Sequence, residues 1–217
     1  MTAKATDWDA YYKRPAAPAQ FTRRISAARI IKTLRAVLSQ PNVAICELGG
    51  ANSCFIDDFL KEPALAAYHI IDNNRYGLEL VRNRLLKDRR VSVELADALA
   101  IGPRSQAYDA VFSVGLIEHF DQEGTGRCID AHFGLCRPGG SVLITFPTPT
   151  LPYRAIRRAA EGLGIWAFPD ERPLGFDEVV QRCARHGDVV HQSINWWIGL
   201  TQGYVLTRKS DTRAVAN

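Results

Sequence analysis

Short, apolar, β-rich runs alternate with segments of helical spacing at intervals of roughly 20–30 residues, and this rhythm restricts the fold more than any other feature. Val43–Leu48 reads as a short buried strand, followed by the small-residue turn Gly49-Gly50-Ala51-Asn52-Ser53. Phe55, Ile56, Phe59 and Leu60 then have helical spacing. Residues 67–71 form the second strand and end at Asp72; Leu78, Val81 and Leu85 mark the next helix. Val91–Leu95 is the third strand, ending near Asp97, and Tyr108–Val114 the fourth. A helix over 127–136 stops at Arg137-Pro138-Gly139-Gly140, and 141–146 is the fifth strand. Strands separated by helices predict a parallel sheet covered on both faces. A helix over 176–184 follows, then runs at 189–195 and 204–208, close enough in sequence to pair antiparallel at one edge. The expected architecture is α/β: a Rossmann-like, seven-stranded, mostly parallel sheet with helices on both faces and one antiparallel edge strand.

Residues 1–40 are expected to be a lead-in and helix that cap this domain, which runs over 41–217. Trp8, Tyr11 and Tyr12 cluster as candidates for a lid, and Pro15 and Pro18 predict an extended link. Phe21, Ile25, Ala28, Ile31, Leu34 and Leu38 recur at helical steps, with Arg23, Arg24, Arg29, Lys32 and Arg35 read as a solvated face; Pro41 ends this helix. Residues 147–175 break the rhythm with Pro147, Pro149, Pro152, Pro169 and Pro173, and are expected to be an acceptor-side insertion holding a short helix near 153–163.

Composition excludes several classes. The 217 residues are 47% hydrophobic and 23% charged, ordinary for a soluble globular protein and enough chain for a full core. Five cysteines without a CxxC suggest neither a disulfide framework nor a zinc knuckle. The first ten residues have no apolar core, and no apolar run approaches the roughly 18 residues of a membrane span. No signal peptide is expected, and a cytoplasmic location is. A net charge of +4 permits an anionic small-molecule acceptor and demands no nucleic acid.

The chemistry concentrates at strand ends, where ligands of open α/β sheets bind. The turn at Gly49 lets a backbone approach a ligand closely, and Glu47 before it suits a cationic group. Asp72 stands about 20 residues on, where a carboxylate accepts from ribose hydroxyls; it also suits capping a helix begun at Asn73. Asp97, inside Leu95-Ala96-Asp97-Ala98-Leu99, is placed to accept from an adenine amine.

These motifs, in this order, resemble the class I S-adenosylmethionine-dependent methyltransferases of the type 11 group. The resemblance covers about residues 40–148. It adds Tyr108-Asp109-Ala110-Val111-Phe112-Ser113-Val114-Gly115-Leu116-Ile117-Glu118-His119-Phe120 at the fourth strand and Leu135-Cys136-Arg137-Pro138-Gly139-Gly140-Ser141 before the fifth. The family usually has glycine at the positions of Gly49, Ala51 and Ser53, so two are replaced here by small residues. Alanine fits only if its φ is negative, and Asn52 can carry a left-handed turn.

The resemblance implies S-adenosyl-L-methionine as cofactor and S-adenosyl-L-homocysteine as product. Glu47, Gly49, Gly50, Ala51 and Asn52 would hold the amino-acid end, Asp72 and Asn73 the ribose, Asp97 and Ala98 the adenine, and Ser113 and Val114 the methyl side. Transfer to an oxygen usually needs a base. His119 is the expected one, with an ordinary pKa near 6.5. Glu118 reads as structural or cofactor-supporting. Tyr11, Tyr12, Tyr153, Arg154 and Trp166 are expected to meet the acceptor, a sugar-, lipid- or nucleotide-linked metabolite methylated on oxygen. The insertion's arginines suit phosphate or carboxylate. No metal site is expected, and Trp196 and Trp197 are expected to pack. A nucleic-acid methyltransferase is disfavoured because Ser113-Val114-Gly115-Leu116 replaces the Asn/Asp-Pro-Pro-aromatic tetrad that holds a flipped base. An NAD-dependent oxidoreductase fits Gly49-x-Ala51-x-x-Cys54 only loosely. A non-catalytic scaffold would have no need of acids at 47, 72 and 97.

Overall fold

The structure is a computed structural model that describes residues 5–13, 17–85, 87–102, 107–196 and 200–211, with the main chain alone at 17–24. In chain order the elements are α1 (Trp8–Lys13), α2 (Ala17–Thr33), α3 (Arg35–Leu38), β1 (Val43–Leu48), α4 (Ile56–Phe59), β2 (Leu65–Asp72), α5 (Arg75–Leu85), β3 (Val91–Leu95) and β4 (Tyr108–Val114). A 3-10 turn (Ile117–His119) follows, then α6 (Gln122–Leu135), β5 (Cys136–Pro147), α7 (Leu151–Gly162), α8 (Phe176–Cys183), β6 (Gly187–Asn195) and β7 (Gln202–Lys209).

Among the described residues seven strands form one sheet, in the order β3-β2-β1-β4-β5-β7-β6. The pairs among β1 to β5 are parallel; β7 runs antiparallel to both β5 and β6, so the expected antiparallel pair closes one side. The order reverses at β1 and β4, whose carboxyl ends therefore frame the crevice where such sheets bind ligands. Two apolar layers fill the faces. One gathers Ile45, Phe59, Tyr68 and Phe112 under α2, α4 and α5. The other gathers Val111, Ile129, Phe133 and Val142 under α6 and α8. Phe59 stacks on Phe112 at 5.4 Å between centroids, a packing that fixes β1's neighbours from below.

Several boundaries differ from expectation, each for a local reason. α1 is helical, although its six residues are too few to show a period. α2 begins at Ala17 with Pro18 in its first turn, where the missing N–H has no partner to lose; Pro15, the other end of the expected extended link, lies outside the described residues. The helix after the glycine turn is a single turn of four residues. α6 starts at Gln122 because Asp121 caps it, accepting the Gly124 N–H at 2.7 Å, although Gly124 and Gly126 lower its intrinsic propensity. β5 begins at Cys136, incorporating the Pro-Gly-Gly stretch expected as a turn. Arg29 is not solvated: its guanidinium lies 5.1 Å from the Tyr204 ring centroid. Trp196 is 59% exposed rather than packed. Trp197 and the side chains of Phe21, Arg23 and Arg24 lie outside the described residues.

Candidate active site

Two left-handed positions build the turn after β1. Gly49 has φ +76° and Asn52 φ 53°. Glycine takes the first without strain, and asparagine tolerates the second. Ala51 is not left-handed, so a methyl group is admitted there. A Cβ on Gly49 would stand 2.9 Å from Leu116, and one on Gly50 2.7 Å from Glu47. Both glycines let the chain fold back over the end of β4.

Glu47 lies beneath this turn, 2% exposed, where its Oε2 accepts the Tyr68 hydroxyl at 2.6 Å. Burial pushes its carboxyl up to about 7, against the lowering hydrogen bonds from Ser53 and Tyr68. Glu47 therefore lies under the turn rather than on its open side.

Asp72 ties the turn to the end of β2. Its Oδ2 accepts the Ala51 N–H at 2.9 Å and its Oδ1 the Asn74 N–H at 2.7 Å. Burial raises its pKa against those donors. A carboxylate offers about four acceptor positions, so two backbone bonds leave capacity for a ligand's hydroxyls. It does not cap α5: that helix starts at Arg75, and Asn74 Oδ1 accepts the Gly77 N–H at 2.6 Å. Asn73 is exposed beside it. At the end of β3, Asp97 is exposed and accepts the Leu99 N–H at 2.9 Å, while Ala98 is half-buried. At the end of β4, Ser113 is fully buried with no partner for its Oγ among the described residues, and Val114 is half-buried. Glu47, Asp72, Asp97 and Ser113 thus lie at or just beyond the carboxyl ends of four adjacent strands.

α1 closes over that edge. Asp9 accepts from Asn74 Nδ2 at 2.7 Å, and Tyr12 lies so close to Gly77 that a Cβ there would come within 2.9 Å of its ring. Trp8 stacks on Tyr12 at 6.0 Å and points its edge at His119, 5.0 Å away. Tyr11 meets Phe168 at 5.3 Å. The N-terminal aromatics, His119 and Phe168 therefore pack together just beyond the end of β4.

His119 stands in this cluster at the end of the 3-10 turn. Its Nδ1 is 3.0 Å from Asp170 Oδ1. Asp170 also accepts the Thr6 N–H at 3.0 Å and the Thr6 hydroxyl. Burial lowers the His119 pKa, with Asp170 acting in the opposite sense. Burial alone would raise Asp170, yet its bonds from Thr6 and His119 outweigh it and hold that carboxyl below the usual range. Neighbouring Glu118 is 2% exposed with an unpartnered Oε2, and burial holds its carboxyl well above the usual range. These features describe a neutral, oriented imidazole that can accept a proton at Nε2.

The insertion is knitted by its own residues. The Tyr153 hydroxyl donates to Glu171, and Trp166 Nε1 donates to the Phe168 carbonyl at 2.9 Å. Arg157 lies over the Trp166 ring at 5.5 Å and donates to Glu161 at 2.7 Å. Tyr153 and Trp166 thus spend their polar groups within the insertion. Arg154 faces a cleft of about 330 Å³, shared with Tyr153, Arg158 and Pro173. Sequence reasoning did not single out Asp170, Thr6, Asp9 or Asn74. Only the Phe168-Pro169-Asp170 step, an aromatic and an acid around a proline, hinted at a fixed corner.

Residues 45–140 match a family described as a methyltransferase domain. Among solved structures, the fold is similar to magnesium protoporphyrin IX methyltransferase from Synechocystis PCC 6803 with bound S-adenosylhomocysteine: TM-score 0.70 at 12% identity, covering 85% of this chain and 82% of that one. It is also similar to N-methyltransferase NodS from Bradyrhizobium japonicum WM9 in complex with S-adenosyl-L-homocysteine: TM-score 0.63 at 16% identity, covering 84% and 86%. An O-methyltransferase family protein from Burkholderia thailandensis gives TM-score 0.63 at 16% identity, covering 88% and 60%. No curated protein matches the sequence.

Proposed function

We infer that this chain, a class I S-adenosylmethionine-dependent methyltransferase, transfers the methyl group to an oxygen of a small-molecule acceptor held beneath α1. The observation that carries the acceptor reading is the His119–Asp170 pair, seated under Trp8 at the end of β4.

The residues present fit the cofactor. Gly49 and Asn52 hold the turn open to a ligand backbone, Asp72 keeps free acceptor positions for ribose hydroxyls, and Asp97 stands exposed where an adenine amine would lie. The orphaned Ser113 hydroxyl supplies a buried polar group beside the methyl side. When bound, S-adenosylmethionine supplies an electrophilic methyl group on a sulfonium. The protein's task is then alignment and proton removal. Asp170 holds His119 Nδ1–H, which fixes the tautomer and leaves Nε2 to take the acceptor's hydroxyl proton. The same carboxylate stabilises the imidazolium that results. Trp8, Tyr11 and Phe168 exclude water and offer aromatic faces to the acceptor. Arg154, on the adjoining cleft, suits an acceptor with a phosphate or carboxylate.

Methyl transfer to hydroxylated metabolites bearing phosphate or carboxylate, followed with radiolabelled cofactor, tests this. Activity on oxygen that falls about 100-fold or more in His119→Ala supports it. Activity confined to amines and indifferent to His119→Ala overturns it.

A further inference from the structure

α7 carries an apolar strip that none of the described residues covers. Its inner side is anchored: Tyr153 is buried, and Arg157 and Ala160 are half-buried. Its outer side repeats Leu151, Ala155, Ala159 and Ile156, Ala159, Leu163 at steps of three and four, which align along one helical face. Leu151 is 81% exposed, Leu163 73% and Ile156 39%; Ile165, just beyond the helix, is 70% exposed. Four of the seven large exposed hydrophobics among the described residues thus fall within fifteen consecutive positions, 151–165. Scattered exposed leucines need no explanation, but a contiguous strip does.

Charge says what covers it. Arg154 and Arg158, one turn apart, flank the strip on a single side, and neither makes a hydrogen bond or ion pair among the described residues. The helix's one acid, Glu161, is already paired with Arg157 at 2.7 Å. A helix with an apolar exposed strip and, beside it, two exposed arginines without partners among the described residues has the properties of a helix lying in a lipid–water interface. The arginine heads reach phosphates while the leucine and isoleucine side chains enter the acyl boundary. A second copy is a poorer occupant, because α7 offers no unpaired carboxylate to meet Arg154 and Arg158.

We propose that α7 and the residues through Ile165 dock this protein on an anionic phospholipid surface. The inference does not rest on the methyl-transfer reading, since docking is measured without cofactor or acceptor. It would place residues 151–165 against the bilayer.

The test is co-sedimentation of the full chain with sucrose-loaded vesicles of phosphatidylcholine alone or mixed with phosphatidylglycerol, at about 0.1 M salt. Binding is expected to the mixed vesicles and to fall about tenfold on those of phosphatidylcholine alone. The doubles Leu163→Ser/Ile165→Ser and Arg154→Gln/Arg158→Gln are each expected to lose about tenfold on the mixed vesicles, with unfolding temperatures unchanged because all four residues are exposed. Failure of the parent to sediment with mixed vesicles overturns the proposal. So does equal binding by folded variants, or a self-association of the parent that Leu163→Ser/Ile165→Ser abolishes while vesicle binding stays absent.

Discussion

Asp170 Oδ1 stands 3.0 Å from His119 Nδ1, and these two residues, 51 positions apart, join the turn after β4 to the segment between α7 and α8. The same carboxylate accepts the Thr6 N–H at 3.0 Å. One side chain therefore binds both His119 and the N-terminal segment that packs on it.

That double role predicts distinct effects. Asp170→Asn keeps the shape but removes the charge that supports protonation of His119. kcat is expected to fall about tenfold to 100-fold, with a smaller change in cofactor affinity. Because burial already lowers the His119 pKa, the parent's rate should rise with pH through a midpoint below 6.5 and level off above it. In Asp170→Asn that midpoint moves lower still. Steady-state kinetics from pH 5 to pH 9 check both statements, and a profile unaltered by the substitution contradicts them.

Trp8 touches His119, Tyr11, Tyr12 and Phe168 through ring contacts of 5.0–6.0 Å, yet lies on a helix with no buried residue. Trp8→Ala should therefore raise the acceptor KM about tenfold while shifting the unfolding temperature by only a few degrees. A large loss of stability with unchanged KM would make α1 a structural brace instead of a lid.

Much of this arrangement was legible in the sequence. β3 and β4 follow the expected limits because the valines of both runs, with the tyrosine and phenylalanine of β4, favour strand. The glycine turn and the acids at 47, 72 and 97 were legible because strand-end chemistry is local in sequence. The pairing of His119 with Asp170 was not: it crosses from one loop to another inside a proline-rich stretch with no period. The tilt of Glu47 toward Tyr68 was hidden too, since alternation along a strand tells the face but not the partner. Nor could spacing tell Asp72 from Asn74 as the cap of α5, both being good cap residues.

Glu47 carries a cost that pH reveals. Its folded pKa of about 7 lies above the ordinary 4.5. A carboxyl raised on folding favours the folded state most below about 4.5, and that contribution is lost as pH rises through 7. The loss amounts to about 3 kcal/mol at most. Glu47→Gln should therefore unfold at a higher temperature than the parent at pH 8 and lose this advantage near pH 4, while binding cofactor more weakly. Thermal melts across that range measure it, and a variant less stable at pH 8 contradicts it.

Cofactor binding at the turn between β1 and β2 is the claim on which the rest stands, and calorimetric titration with S-adenosylhomocysteine tests it directly. The account predicts saturable micromolar binding by the parent, weakened at least about tenfold, or 1.4 kcal/mol, in a folded Asp72→Ala variant. A parent that is folded and takes up no S-adenosylhomocysteine would contradict it.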